Sequence, residues 1–288
     1  MLALHPFWIA FGPVLVINFL FLSSIIYFSL TGKAEKREVH EAARRTRSKF
    51  LNYFFKEWWI WATDPIARFL AKAGVGPNLI TFAGFVMSVI AAFLFAAGQF
   101  GYAGWTMVLG ATFDTFDGRV ARLTGKVSRS GAFFDSVMDR FGEGVCFIGL
   151  GWYFHASFIL PFVIAALIGS MMVSYTRACG QVAGIDCKVG SMQRPERIVY
   201  MGVSGILQPV VTLLLLPLWK TPSPILVMGA LLLIAVWANA TAIYRMIYIM
   251  NAIDTTDRKK DEPSIPQILT RLSTHEGREE FFKRNIQM

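Results

Sequence analysis

The sequence predicts an all-α, polytopic membrane protein, and three observations carry that prediction. Of 288 residues, 55% are hydrophobic and only 16% charged, with a positive mean hydropathy, a balance outside the range of ordinary soluble domains. The apolar residues gather into runs of roughly 20, the length a helix needs to cross a hydrocarbon core. Lysine and arginine crowd beside those runs and form no soluble basic face, so the net charge of +9 points to a membrane surface and away from nucleic acid.

Seven spans are predicted, at about 7–30, 79–99, 102–123, 131–153, 157–177, 198–219 and 225–250. The first has no lysine or arginine before it and no small-residue cleavage site after it, so it reads as a retained anchor and not as a secretory signal. Ten lysines and arginines follow between Lys33 and Lys72, whereas the turns near Gly101 and His155 carry none and the turn near Lys220 carries one. By the positive-inside bias, the segment up to Pro77 is expected in the cytoplasm, with the N-terminus outside, the C-terminus inside, and the Thr124–Ser130 turn and the Ala178–Arg197 loop both cytoplasmic.

Four segments are expected: an anchor at 1–31, a basic and interfacial amphipathic segment at 32–77, a six-span catalytic unit at 78–250 and a charged tail at 251–288. The part LNYFFKEWWIWATDPIARFLAKAG mixes aromatic and cationic residues, as a helix lying in the interface does, although a basic aromatic flank that anchors a span has the same composition. Pro77 suits a first helical turn, Asn78 and Thr81 can serve local backbone groups, and KTPSP marks a turn between the last two spans. The tail contains DRKKDEPSIP and is expected to be loosely structured. Cys146, Cys179 and Cys187 are odd in number and lack zinc-type spacing.

The stretch DTFDGRVARLTGKVSRSGAFFDSVMDR breaks the apolar pattern. Asp114 and Asp117 are three apart, and Asp135 and Asp139 four apart, so each pair shares one face of its helix. The helices are consecutive and joined by a short turn, which can bring the four carboxylates together near the membrane boundary. Ionised acids cost about 2.5–3.5 kcal/mol each at mid-bilayer, and unpaired ones repel. A hard divalent cation relieves both, and an oxygen-only donor set without His or Cys selects Mg²⁺ or Mn²⁺ over zinc. Two ions would balance four carboxylates, a device used for displacement at phosphorus.

Gly118 and Ala121 share the face of the first pair, and Gly131 precedes Asp135 by four residues, leaving room for a flat base or a pyrophosphate; glycine in a membrane helix equally serves close packing. Arg119, Arg122, Lys126 and Arg129 surround the turn and suit phosphate oxygens, while the positive-inside bias places such residues there without any ligand. Arg122 shares the aspartate face.

The pattern Asp114-x2-Asp117-Gly118-x2-Ala121-Arg122-x8-Gly131-x3-Asp135-x3-Asp139 resembles the signature of the CDP-alcohol phosphotransferases at all eight fixed positions. The likeness extends to PNLIT at the head of the second span and to six spans from Asn78 to Met250, leaving out the N-terminal anchor and the tail. It implies a six-helix bundle, commonly a homodimer, that transfers the phosphoalcohol part of a CDP-alcohol to an acceptor hydroxyl and releases CMP; in the phospholipid branch the donor is CDP-diacylglycerol. On this likeness Asp114, Asp117, Asp135 and Asp139 hold the metals, and Asp139 is also the general base. Asp114, Gly118, Ala121, Arg122, Gly131, Asn78 and Thr81 line the CDP.

The segment SYTRACGQVAGIDCKVGSMQRPERIVYMG resembles one found in phosphatidylinositol phosphate synthases and some phosphatidylglycerophosphate synthases. Its Arg177, Lys188, Arg194 and Arg197, together with Lys126, suit an acceptor that bears its own phosphate, since guanidinium matches phosphate oxygens in a bidentate way. Inositol phosphate is the expected acceptor, ahead of glycerol 3-phosphate, serine and neutral alcohols. A plainer alternative makes Arg194 and Arg197 the end of a span, with Glu196 as ion-pair partner. Intramembrane prenyltransferases do not require the Gly118-x2-Ala121-Arg122 element, and a transporter, the non-enzymatic alternative, would place acids away from a single membrane face. A lipid-binding scaffold would keep the signature intact but idle.

Overall fold

A computed structural model describes residues 53–187, 189–215 and 223–261, with seven further positions between 16 and 27. The described residues form helices only. The elements are α1 (Tyr53–Lys72), α2 (Pro77–Ala96), α3 (Phe100–Leu123), α4 (Arg129–Tyr153), α5 (Leu160–Val182), α6 (Arg194–Leu215) and α7 (Ile225–Asp261). The last six coincide with the six later predicted spans. The anchor at 7–30 lies mostly outside the described residues, though the Tyr27 ring sits 5.8 Å from that of Trp61 on α1.

Among the described residues, four helices, α2, α5, α6 and α7, are long and apolar enough to cross a membrane. The chain is an integral membrane protein, and large apolar side chains on its perimeter, such as Phe93, Trp152 and Phe158, are more than 70% exposed, as a lipid-facing surface requires. The other two long helices, α3 and α4, carry the aspartates. Some boundaries need correction: α5 runs past Arg177 to Val182 and α6 starts at Arg194, inside the expected Ala178–Arg197 loop, while α7 does not stop near Met250 but continues through the first eleven residues of the expected tail to Asp261. Thr255 and Thr256 turn their hydroxyls back onto the carbonyls of Asn251 and Ala252, satisfying themselves within the helix.

Packing brings α2, α3, α4 and α6 together around the site. Helix α2 packs on α3 and α4, α3 on α6, and α5 and α6 on α7. Pro77 opens α2 at its first turn, as its sequence predicts, and the Ser128 hydroxyl accepts from Gly131 N (3.0 Å) to cap α4. Away from the site, Phe95, Phe147, Leu150, Val163, Leu231 and Ile234 form the core. The tightest helix crossings leave no room for a side chain: a Cβ at Gly104 of α3 would lie 2.5 Å from Gly202 O of α6, and one at Gly149 of α4 would lie 2.2 Å from Ala92 O of α2. Buried Gln208 on α6 accepts from the amides of Leu226 and Val227 (2.9 and 3.4 Å), supplying the start of α7 with an acceptor its own backbone lacks.

Helix α1 docks against the site end through Ala67, which is buried with Ile80 and Val120. Arg119, expected either beside a phosphate or simply at a cytoplasmic helix end, instead reaches α1: it pairs with Asp64 and donates to Thr63 Oγ1 at 3.0 Å.

Candidate active site

The end of α3 and the start of α4 fold back on each other across residues 124–128, and their aspartates line one pocket. Asp114, Asp135 and Asp139 each present a carboxylate oxygen, all within 4.8 Å of one another. Asp117 also lines the pocket, but its Oδ2 accepts from Thr81 Oγ1 at 2.5 Å, which ties α3 to the first turn of α2. Asp117 therefore faces the pocket from beside the three-acid group and not from within it.

A divalent cation fits this donor set. The cluster is oxygen-only, which suits a hard ion. Asp135 Oδ1 is buried without a hydrogen-bond partner, a costly state for a carboxylate oxygen that lacks a cation. The charge is met from α6: Arg194 Nη1 lies 2.5 Å from Asp139 Oδ2 and 2.9 Å from Asp114 Oδ2, while its Nε is buried and unpartnered.

The small residues of the motif have separate surroundings. Gly118 is covered by the side chain of Arg122, whose guanidinium would touch an added Cβ at 3.5 Å. Gly131 abuts Asn78, whose Oδ1 would lie 3.4 Å from a Cβ there, so the structure brings those two predicted donor-binding positions together. Neither is a helix crossing of the Gly104 or Gly149 kind. Ala121 is half-buried on the same helix, and Arg122 is exposed.

Of the five expected acceptor residues, the structure describes four, and among these only Arg194 lines the pocket. Arg194 is at the pocket; Arg177 is half-buried near the end of α5; Lys188 lies outside the described residues; and Lys126 is exposed in the α3–α4 turn. Arg197 departs from the expectation. It is 2% exposed and donates to Glu143 twice, from Nε (2.5 Å) and Nη2 (2.8 Å), and from Nη1 to Met192 O (3.1 Å). A guanidinium so enclosed is not presented to an acceptor phosphate. Arg197 is in an ion pair, but Glu143 on α4 takes the role expected of Glu196.

Glu143 is the site residue that sequence reasoning missed. The signal was present, since Asp135, Asp139 and Glu143 follow at four-residue steps and an acid inside a span demands a partner. The loop leading to Arg194 is fixed by two further unforeseen contacts from α7, Arg245 Nε to Val189 O and Trp237 Nε1 to Ser191 Oγ, both 2.7 Å.

Residues 75–253 match the family model described as CDP-alcohol phosphatidyltransferase. The chain belongs to that family. It is 35% identical over 199 residues to the phosphatidylinositol phosphate synthase of Mycobacterium tuberculosis, covering 64% of this chain and 89% of the relative. It is 34% identical over 148 residues to the archaetidylinositol phosphate synthase of Pyrococcus horikoshii, covering 51% and 78%. Among solved structures it is similar to the M. tuberculosis phosphatidylinositol phosphate synthase with CDP-DAG bound, with a TM-score of 0.56 and 27% identity over 65% of this chain and 92% of that one. The same enzyme in complex with manganese and citrate matches with a TM-score of 0.57 and 27% identity over 65% and 88%. A CDP-alcohol phosphotransferase thus has its acids gathered at the converging ends of α3 and α4, where a divalent ion fits.

Proposed function

We propose that this phosphotransferase moves the phosphatidyl group of CDP-diacylglycerol to a hydroxyl of inositol phosphate and releases CMP. The observation that carries the reading is the meeting of Asp114, Asp135 and Asp139 in one pocket with Arg194 against them, in a family member whose relatives are named for inositol phosphate products. The donor reading is supported by the CDP-DAG complex of the M. tuberculosis enzyme.

In this reading Asp114, Asp117, Asp135 and Asp139 hold two ions, Mg²⁺ or Mn²⁺. Bound there, such ions polarise the pyrophosphate and neutralise the departing CMP. The chain's own groups do the rest. Gly118, Ala121 and Arg122, with Gly131, Asn78 and Thr81, seat the CDP; the Thr81 hydroxyl holds Asp117 in place. Asp139 accepts the proton of the acceptor hydroxyl as its oxygen bonds to the β-phosphorus. The bond from that phosphorus to the CMP oxygen breaks, and CMP leaves with the electron pair. Arg194, Arg177, Lys126 and Lys188 serve the acceptor's phosphate. Arg194 holds Asp139 Oδ2 at 2.5 Å, and movement of that guanidinium would open this oxygen to the acceptor hydroxyl as well.

The reading places the pocket at the cytoplasmic face of the cytoplasmic membrane, with residues 1–31 as an anchor whose N-terminus is outside, 32–77 on the cytoplasmic surface, 78–250 as the catalytic unit, the C-terminus inside, and the enzyme acting as a homodimer. The test is CMP release from CDP-diacylglycerol by purified protein with Mg²⁺ or Mn²⁺, one acceptor at a time. Inositol phosphate should support turnover. Release with glycerol 3-phosphate alone would replace the acceptor, and no release with any acceptor would end the enzymatic reading.

A further inference from the structure

Helices α4 and α6 both begin at the site end, and they are joined there by two ion pairs one turn apart. The inner pair, Glu143 with Arg197, is enclosed, its side chains 4% and 2% exposed. The outer pair, Asp139 with Arg194, stands in the pocket with side chains 17% and 26% exposed. The inner pair is two-pronged, and Arg197 adds a third bond to Met192 O, two residues before Arg194. A planar fork bound at both prongs fixes how α6 is rotated on α4 and how far it is slid along it. Arg194, three residues earlier on the same helix, is thereby aimed at the acids.

Arg194 Nη1 contacts Asp139 and Asp114, two of the three carboxylates whose oxygens lie within 4.8 Å of one another. A divalent ion would draw on those same carboxylates, and two cations held that close together repel. We propose that Arg194 is the resident counter-cation of the acid cluster, positioned by the Glu143–Arg197 pair, and that an incoming divalent ion must displace its guanidinium. Displacement frees Asp139 of its partner and releases a phosphate-matching group into the pocket as the ion arrives. The inference rests on the reading of the cluster as a divalent-ion site.

The experiment is equilibrium Mn²⁺ binding to the full-length, metal-stripped protein in detergent, followed by the paramagnetic signal of free Mn²⁺ and without substrate. Arg194→Gln should bind Mn²⁺ at least about 10-fold more tightly than the wild type, because the competitor is gone, and its metal-free form should melt at a lower temperature. The double variant Glu143→Met/Arg197→Met removes the inner pair without leaving a buried charge. It should tighten Mn²⁺ binding severalfold when Arg194 is present and leave it unchanged in the Arg194→Gln background. Arg197→Lys, which keeps the charge and loses the fork, should fall between and serves if the double variant does not fold.

Equal or weaker Mn²⁺ binding by Arg194→Gln overturns the counter-cation role. An effect of the inner-pair variants that is the same with and without Arg194 overturns the positioning role. A wild-type protein that binds no Mn²⁺ fails the metal-site reading itself, a result distinct from Mn²⁺ binding that Arg194→Gln does not strengthen.

Discussion

Gly149→Ala is the sharpest test of how the helices are held. An added Cβ would stand 2.2 Å from Ala92 O and 2.8 Å from both its carbonyl carbon and Cα, all of them backbone atoms that no rotamer change can remove. Carbon and oxygen in contact want roughly 3.3–3.6 Å, so α2 and α4 must part by about 1 Å at that crossing. Overpacking of this kind costs about 1–3 kcal/mol. The wedge lies ten residues from Asp139, about 15 Å along the helix, so the site receives only part of the displacement. Turnover should fall by less than the ~10²-fold that a full 1 Å misplacement produces. Gly229→Ala is the control, since a Cβ there meets nothing within 4 Å. Thermal unfolding in detergent and CMP release should separate the two variants, with Gly229→Ala as stable as wild type or up to about 1 kcal/mol more so, the helix-propensity gain of alanine over glycine. Equal melting and equal turnover for both would refute the close crossing of α2 and α4.

Asp139→Asn should lower turnover by about 10²–10⁴-fold, the usual worth of a general base, while the protein stays folded and membrane-inserted; activity near wild type removes that role. Arg197→Ala should destabilise the protein by about 3–5 kcal/mol, because Glu143 is left buried and charged, whereas Glu143→Met/Arg197→Met should be near neutral; equal losses in thermal unfolding would contradict the pair. Thr81→Val removes the 2.5 Å bond to Asp117 and should lower stability in thermal unfolding by about 1.5–3 kcal/mol, the range for hydrogen bonds to charged groups, with weaker donor binding in a CDP-diacylglycerol titration; unchanged melting and binding would contradict the tie. Chelation should stop CMP release, and Mg²⁺ or Mn²⁺ should restore it; release that persists through chelation argues against an ion at the acids.

What the sequence made legible follows from range. Helices α2 to α7 coincide with the predicted spans because an apolar run of about 20 residues is a local property, and α2 begins at Pro77 for an equally local reason. The aspartates were legible because spacings of three and four fix a shared face, and a five-residue turn leaves two consecutive helices little choice but to meet. The RPER segment misled because Glu196 neighbours Arg197 in sequence, while Glu143, its partner in space, is 54 residues away on another helix. Asp64 and Arg119 are separated similarly, by 55 residues, and nothing in the spacing of either announces the other.

The ion pairs also bear on why acids at this depth are tolerated. The Glu143–Arg197 pair is formally neutral and enclosed, so it adds no charge for the pocket to balance and acts as a fixed joint between α4 and α6. Four aspartates then face Arg194 from the pocket wall, which leaves three formal negative charges when that guanidinium is in place. Two divalent ions added beside Arg194 would turn this into an excess of one positive charge, whereas two ions that displace it leave the four aspartates balanced. Displacement is therefore favoured by charge as well as by the shared carboxylates. The displaced arginine and the ions together then present cationic groups to a donor pyrophosphate and to a phosphorylated acceptor, two anions that an acid-lined pocket would otherwise repel.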